Sequence, residues 1–212
     1  MSHVTTVEGT MTIPRSELVF LAQAIKEFCP DLEIVKNQSH YRTWKDNHGG
    51  RLVGDWPLPE GWTASQVGEN AAHVIRVKDS YLEKHGISDR NAGNAPYEIG
   101  IVPVKVTRDE NGEVVKAVPD KNADEFVLMT DWWQNGNGIL DCQGVGKREM
   151  AEHPQSGKKV EMSFGDLYMH YRMMQTKYEA EKNGDTVTFN KEKDGTYTAT
   201  IQTDQRIQLQ KK

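Results

Sequence analysis

Apolar residues along this chain fall into short alternating runs, interrupted by two stretches with helical spacing. His3 to Thr12 is rich in Thr and Val and partly alternating, which predicts a strand. Pro14 stands at a first helical position, where its missing N–H costs nothing. Leu18, Leu21, Ala22 and Ile25 then recur every three or four residues up to Phe28, forming one apolar helix face that Pro30 terminates. Leu32–Val35 and Ser39–Trp44 read as second and third strands around a hairpin-like Asn37-Gln38. In the latter, His40, Arg42 and Trp44 share one face, and Tyr41 and Thr43 the other.

From Lys45 to Asn70 no period is visible. Glycines, prolines, Trp56 and Trp62 mark a long loop, of a length that is usually functional or disordered. Ala72–Val77 is a strand, and Ser80–His85 a short helix ended by Gly86. Tyr97–Thr107 is a long strand that Pro103 assigns to an edge or a bulge. Asn111-Gly112 signals a two-residue turn into Val114–Val118, and Phe126–Trp133 follows as a strand.

Beyond the glycine-rich segment Gln134–Gly146 and a polar stretch to Val160, Ser163 with Asp166 forms a capping-box-like start. Leu167, Tyr171, Met174 and Tyr178 mark the seam of a second helix ending at Asn183-Gly184. Thr186–Asn190 and Tyr197–Thr203, joined at Asp194-Gly195, make a hairpin. Hairpins joined by only two long helices predict an α+β fold: a mainly antiparallel sheet with both helices packed on one face. The expected organisation is one domain over residues 1–205, with a loop insertion at about 45–70 and a polar tail at 206–212.

Composition narrows the function classes. The chain has 212 residues, 36% of them apolar, and its mean hydropathy of -0.71 fits long solvated loops. With 26 basic and 31 acidic side chains the net charge is -5, which gives no drive towards nucleic acid or an anionic membrane. Cys29 and Cys142 are too far apart for a metal knuckle and read as reduced thiols of a cytoplasmic protein. The opening MSHVTTVEG carries no secretory pattern, and no run is long enough to span a bilayer.

The opening Met1-Ser2-His3 with the first helix, Tyr97–Gly100, Val127–Trp133 including Asp131-Trp132-Trp133, and Leu167–Thr200 carry a resemblance. On these segments the chain resembles a family of uncharacterised proteins of cyanobacteria, plastids and bacteriophages, known as a domain of unknown function. Against that family, the Lys45–Asn70 loop and the Val102–Asp124 hairpin look like insertions. The resemblance implies a small soluble protein, encoded near an AAA-type ATPase or in a phage genome, and it implies no chemistry.

Two regions stand out for recognition. Trp132 and Trp133, followed by Asn135, Asn137 and the glycines up to Lys147 and Arg148, have the make-up of a stacking wall beside an anion-cradling loop. The plainer alternative is one tryptophan in the core and a solvated loop. The segment departs from a phosphate-binding P-loop, since Asp141 holds the first glycine position and Arg148 follows Lys147. Tyr168, His170, Met173 and Tyr178 give the second helix adaptable side chains suited to a protein partner, although at helical spacing such residues more often form core. The histidines form no local metal cluster, and neither a serine elbow nor a Cys-His pattern supplies a nucleophile. The expected function is therefore a non-enzymatic interaction protein that binds a host or ATPase partner and needs no cofactor. The alternative is a binder of a nucleotide-like ligand, using Trp132, Trp133 and the Gly136–Lys147 loop.

Overall fold

The computed structural model describes residues 11–50, 58–132, 134–146, 149–152, 159–162, 164–193 and 197–203. At 135, 149–152 and 159–162 it describes the backbone alone. The elements are β1 (Ile13–Pro14), α1 (Leu18–Phe28), β2 (Leu32–Lys36), α2 (Trp44–Asn47), β3 (His73–Val77), α3 (Asp79–Lys84), β4 (Ile99–Arg108), β5 (Val114–Pro119) and β6 (Glu125–Met129). They continue with α4 (Gln134–Asn137), β7 (Glu149–Glu152), β8 (Lys159–Met162), α5 (Gly165–Lys182), β9 (Asp185–Lys191) and β10 (Tyr197–Thr203).

The main sheet runs β1-β6-β4-β3-β2, with β5 paired to the far half of β4, and every pairing is antiparallel. β7–β8 and β9–β10 form two separate hairpins. The α+β class and the mainly antiparallel sheet are as the periodicity predicts.

β4 and β6 are apolar on both faces, because successive side chains alternate sides and both sides are covered. Ile99, Ile101, Phe126 and Leu128 point to the face covered by α1 and α5, where Leu21, Ala24, Ile25, Leu167, Tyr171 and Met174 meet them. Val102, Val104, Val127 and Met129 point to the opposite face. There Trp62 and Val67 of the described part of the long loop lie over Val74 and Ala117, and the Trp62 Nε1 donates to the Ala117 carbonyl at 2.7 Å. The loop therefore closes the sheet face that the helices leave bare. The described part of the loop and the β4–β5 hairpin pack on each other.

Several expectations need correction. On α1 the buried face is Leu21, Ala24 and Ile25, while Ala22 faces solvent. Ser39–Trp44 is no ladder strand: its backbone bonds to Gly68, Ala71 and Glu98. It ends in a Thr43–Asp46 capping box that starts α2 at Trp44. Pro103 lies at neither an edge nor a bulge but inside the central strand. Its carbonyl accepts from Asp120, on the side of β4 where the partner changes from β3 to β5. Its missing N–H faces that change-over, so no ladder bond is lost.

The β4–β5 turn is also longer than two residues. Asp109 closes it by accepting from the N–H groups of Asn111 and Glu113, and only Gly112 takes a positive φ, at 82°. The hairpin β7–β8 occupies a stretch read as merely polar. The predicted strand His3–Thr12 lies mostly outside the described residues, as do Ser163 and the Asp194-Gly195 turn.

Gly100 marks the tightest approach on the loop-covered face. A methyl added there would stand 2.5 Å from the Tyr41 ring, which is fully buried and cannot withdraw. Gly100→Ala is expected to destabilise the fold by about 1–3 kcal/mol, the usual range for overpacking. Urea denaturation of the two proteins measures it, and an unchanged midpoint would contradict the packing described.

Candidate functional site

A cavity of about 500 Å³ opens where the loop after β6, the first turn of α5 and the C-terminal hairpin meet. Its walls include Phe28 at the end of α1, Cys142 and Gly144 of the loop, His170 of α5, and Lys191 and Tyr197 of the hairpin. A cavity of about 480 Å³ on the other side of α5 differs in kind, because several charged groups on its wall already hold partners. There Arg108 pairs with Glu125, and Glu17 accepts from Tyr171 and Gln175.

The loop reaches its position through glycine. A methyl on Gly144 (φ 85°) would come within 2.8 Å of the Cys29 sulfur. One on Gly146 (φ 141°) would come within 2.9 Å of the Gly165 nitrogen and 3.0 Å of that of Asp166. No larger residue lets the loop lie this close to the start of α5. The Val145 carbonyl there accepts from the Leu167 N–H at 3.2 Å.

His170 is the central side chain of the site. It is only 5% exposed, its Nδ1 is buried, and that atom has no hydrogen-bond partner among the described residues. The ring stacks on Phe28 at 4.1 Å, and Tyr197 meets it edge-on at 5.8 Å. Lys191 Nζ stands 5.7 Å from the centre of the Tyr197 ring. Burial lowers the His170 pKa; the Gly144 backbone and Asp166 oppose the fall, and Lys191 adds to it. The imidazole is therefore neutral at pH 7 and offers a hydrogen-bonding nitrogen without charge. Desolvation raises both thiols, Cys29 to about 12 and Cys142 to about 11, so neither is a thiolate near neutrality. Among the described residues no group of three His, Cys, Asp or Glu is placed to hold a metal ion. Nor is any helix there long and apolar enough to cross a membrane.

The residues singled out from sequence are distributed unevenly around this cavity. Trp132 is 5% exposed and packs on Phe164 at 5.0 Å in the helix-side core, so its ring has no face left for stacking a ligand. Asn137 turns to the Gly93 and Ala95 carbonyls. The side chain of Asn135, and Trp133, Lys147 and Arg148, lie outside the described residues. Tyr168 and Met173 are core residues, and the Tyr168 hydroxyl donates to the Met11 carbonyl, so they form no partner surface. Tyr178 stays 50% exposed, its ring 5.2 Å from that of Phe20. The described part of the long loop lies on the opposite face of the sheet.

Phe28, Lys191 and Tyr197 escaped sequence reasoning because the end of α1 and the C-terminal hairpin lie far from the glycine loop in sequence. Only His170, one position off the apolar seam, carried a local signal.

The depressed His170 pKa fixes the sign of a pH effect. An unfolded chain takes up this proton near pH 6.5, whereas the folded protein resists it, so stability is lost as pH falls below 6.5. The slope for one such group is at most about 1.4 kcal/mol per pH unit. Burial, then Lys36 and Arg15, lower His73 as well, and it adds in the same direction. The melting temperature is expected to drop between pH 7.5 and 5.5, and His170→Phe, which keeps the stacking, should make the drop shallower. Equal drops in both proteins would show that His170 takes its proton freely.

Compared with protein-family models, with curated proteins and with solved structures, the chain matches none.

Proposed function

We propose that this protein binds a small nucleotide-like ligand in the cavity between the glycine loop, α5 and the C-terminal hairpin. The observation that carries this reading is His170 on the cavity wall, with a buried Nδ1 that has no hydrogen-bond partner among the described residues. A buried polar atom left without a bond costs roughly 1–3 kcal/mol, which a ligand hydrogen bond recovers. The volume suits such an occupant, since ligand pockets run from about 300 to 1,000 Å³. Phe28 and Tyr197 supply aromatic surface, and Lys191 supplies one positive charge. Asp141 and Asp166 line the same cavity, so a ligand with one phosphate group fits better than a triphosphate.

Thermal melting and tryptophan fluorescence across nucleoside mono- and triphosphates test this. Trp132 packs on Phe164, next to the first residue of α5, and so reports on the site. At about 100 times Kd a ligand stabilises the native state by about 2.7 kcal/mol, a shift of a few degrees. Monophosphates should give the larger shift, and Lys191→Gln should reduce it. A flat response across the whole panel would remove the proposal.

A second reading, a docking protein for a host or ATPase partner, draws on the family resemblance and on one surface feature. Val19, 52% exposed, and Tyr178 lie on the outside of the α1–α5 pair. Tyr178→Asp should abolish a stoichiometric partner recovered by native pull-down from the source organism. Recovery of the same partner by both proteins would rule this surface out.

A further inference from the structure

Among the described residues, five of the six buried polar or charged side chains gather at one end of the main sheet: Arg42, Thr43, Glu98, Thr130 and Asp131. Burying charge is costly, so such a cluster requires either complete pairing or a use. Beside it lies a cavity of about 300 Å³ that shares no lining residue with the one described above.

Arg42 is fully engaged with backbone and amide groups. Its guanidinium donates to the carbonyls of Ala92, Ala95 and Pro96 and to Asn47 Oδ1. It fixes the loop before β4 as a wall and makes no ion pair with Glu98. Glu98 is 5% exposed and lines the cavity. Its Oε2 accepts from the Arg42 N–H at 2.9 Å and from Gln38 Nε2 at 3.4 Å. Its Oε1 makes no hydrogen bond to any described residue.

The remaining charges at the cavity are matched. Arg90 pairs with Asp79, and His40 stands 3.1 Å from both Asp46 and Glu69. Arg76 pairs with Glu33 through Nε at 2.8 Å, which leaves Nη1 and Nη2 without a bond to a described residue. Its side chain is 27% exposed, so Arg76 lies nearer solvent than Glu98. The cavity thus presents a carboxylate oxygen inside and a guanidinium edge nearer solvent, and Asn47 and Asn91 also line it.

From this we infer a second binding site, for a small zwitterion of the α-amino acid class. The ligand's ammonium group meets Glu98 Oε1, and its carboxylate meets the free edge of Arg76. Charge-assisted bonds of this kind are the strong ones, and a guanidinium edge matches a carboxylate in shape. The volume lies at the small end of the range for ligand pockets, which suits an amino acid rather than a nucleotide. For a metal ion the cavity is poorly furnished: Asp46 is taken by His40 and the Thr43 N–H, and no group of three His, Cys, Asp or Glu among the described residues is placed to hold one.

Titration calorimetry of the full chain with each of the free amino acids, their N-acetyl derivatives and their amides tests the site. At least one free amino acid is expected to bind. N-acetylation removes the cation and amidation removes the anion, so each should weaken binding about tenfold or more. Glu98→Gln keeps an oxygen for the Arg42 N–H but loses the charge, and should lower affinity about tenfold to a hundredfold. Arg76→Gln, on a partly exposed strand position, should do the same, and it carries the test if Glu98→Gln fails to fold. No binding by any free amino acid, equal binding by the derivatives, or undiminished affinity in a folded variant would overturn the inference.

Discussion

Everything in this fold depends on β4 being buried on both faces while serving three neighbouring strands. Ile99 and Ile101 need the helices, and Val102 and Val104 need a second cover. The segment around Trp62 supplies that cover, and its indole bond to the Ala117 carbonyl ties it to β5. A strand with β3, β5 and β6 as partners must also change neighbours along its length. Pro103 sits where β3 gives way to β5, the one stretch in which a missing N–H costs no ladder bond. Gly100 serves the same strand differently, by yielding its side-chain volume to Tyr41. The central strand thus carries a proline and a glycine, residues that would normally weaken it, each for a packing reason.

The polar end of the sheet follows from the same arrangement. Where β4 begins, the apolar strand meets loops whose backbone groups need partners away from water. Arg42 takes the carbonyls of Ala92, Ala95 and Pro96, and Asn137 takes those of Gly93 and Ala95. The Tyr97 N–H reaches the Gly136 carbonyl, and the Thr130 hydroxyl the Glu98 carbonyl. These bonds lock three chain segments together without a shared ladder. A buried arginine gains little net stability from such work once its desolvation is counted. What it provides is a fixed wall, and a fixed wall is what a binding cavity requires.

How much of this was legible in the sequence depended on how local each signal was. The faces of α1 and α5 and the pairing of β9 with β10 rest on periodicity within a dozen residues; the pairing holds, and the faces hold except at Ala22 and Tyr178, which are exposed. Ala22 and Ala24 lie two positions apart on α1, and a single turn of pattern cannot choose between them. Ser39–Trp44 alternates like a strand, and Tyr41 and Thr43 do face inward. Its backbone partners, however, are single residues of distant loops, which no local pattern encodes. Trp132 looked like a site residue because tryptophan beside glycine is rare, yet aromatic area is also the most rewarding to bury. Glu98 gave no warning at all. A lone acid after Pro96-Tyr97 is unremarkable until Arg42 and Gln38, more than fifty residues earlier, are seen to surround it.

Unsatisfied polar groups separate the cavities that invite a ligand from those that do not. The cleft beside Arg108 and Glu125 has volume comparable to the His170 cavity, but Arg108 already pairs with Glu125, and Glu17 bonds to Tyr171 and Gln175, so an entering molecule would have to compete with those bonds. The Tyr41 hydroxyl is the opposite case: buried and without a partner among the described residues, yet not on the wall of any cavity described above. It records the cost of packing a ring against Gly100 and offers nothing that a ligand could reach. His170 and Glu98 each line a cavity and carry a polar atom without a bond to any described residue. In each case the surrounding residues hold the group rigidly, His170 between Phe28 and Tyr197, and Glu98 by the Arg42 N–H. Such rigidity lowers the ordering cost of binding, so even a ligand making few contacts keeps most of the energy those contacts supply.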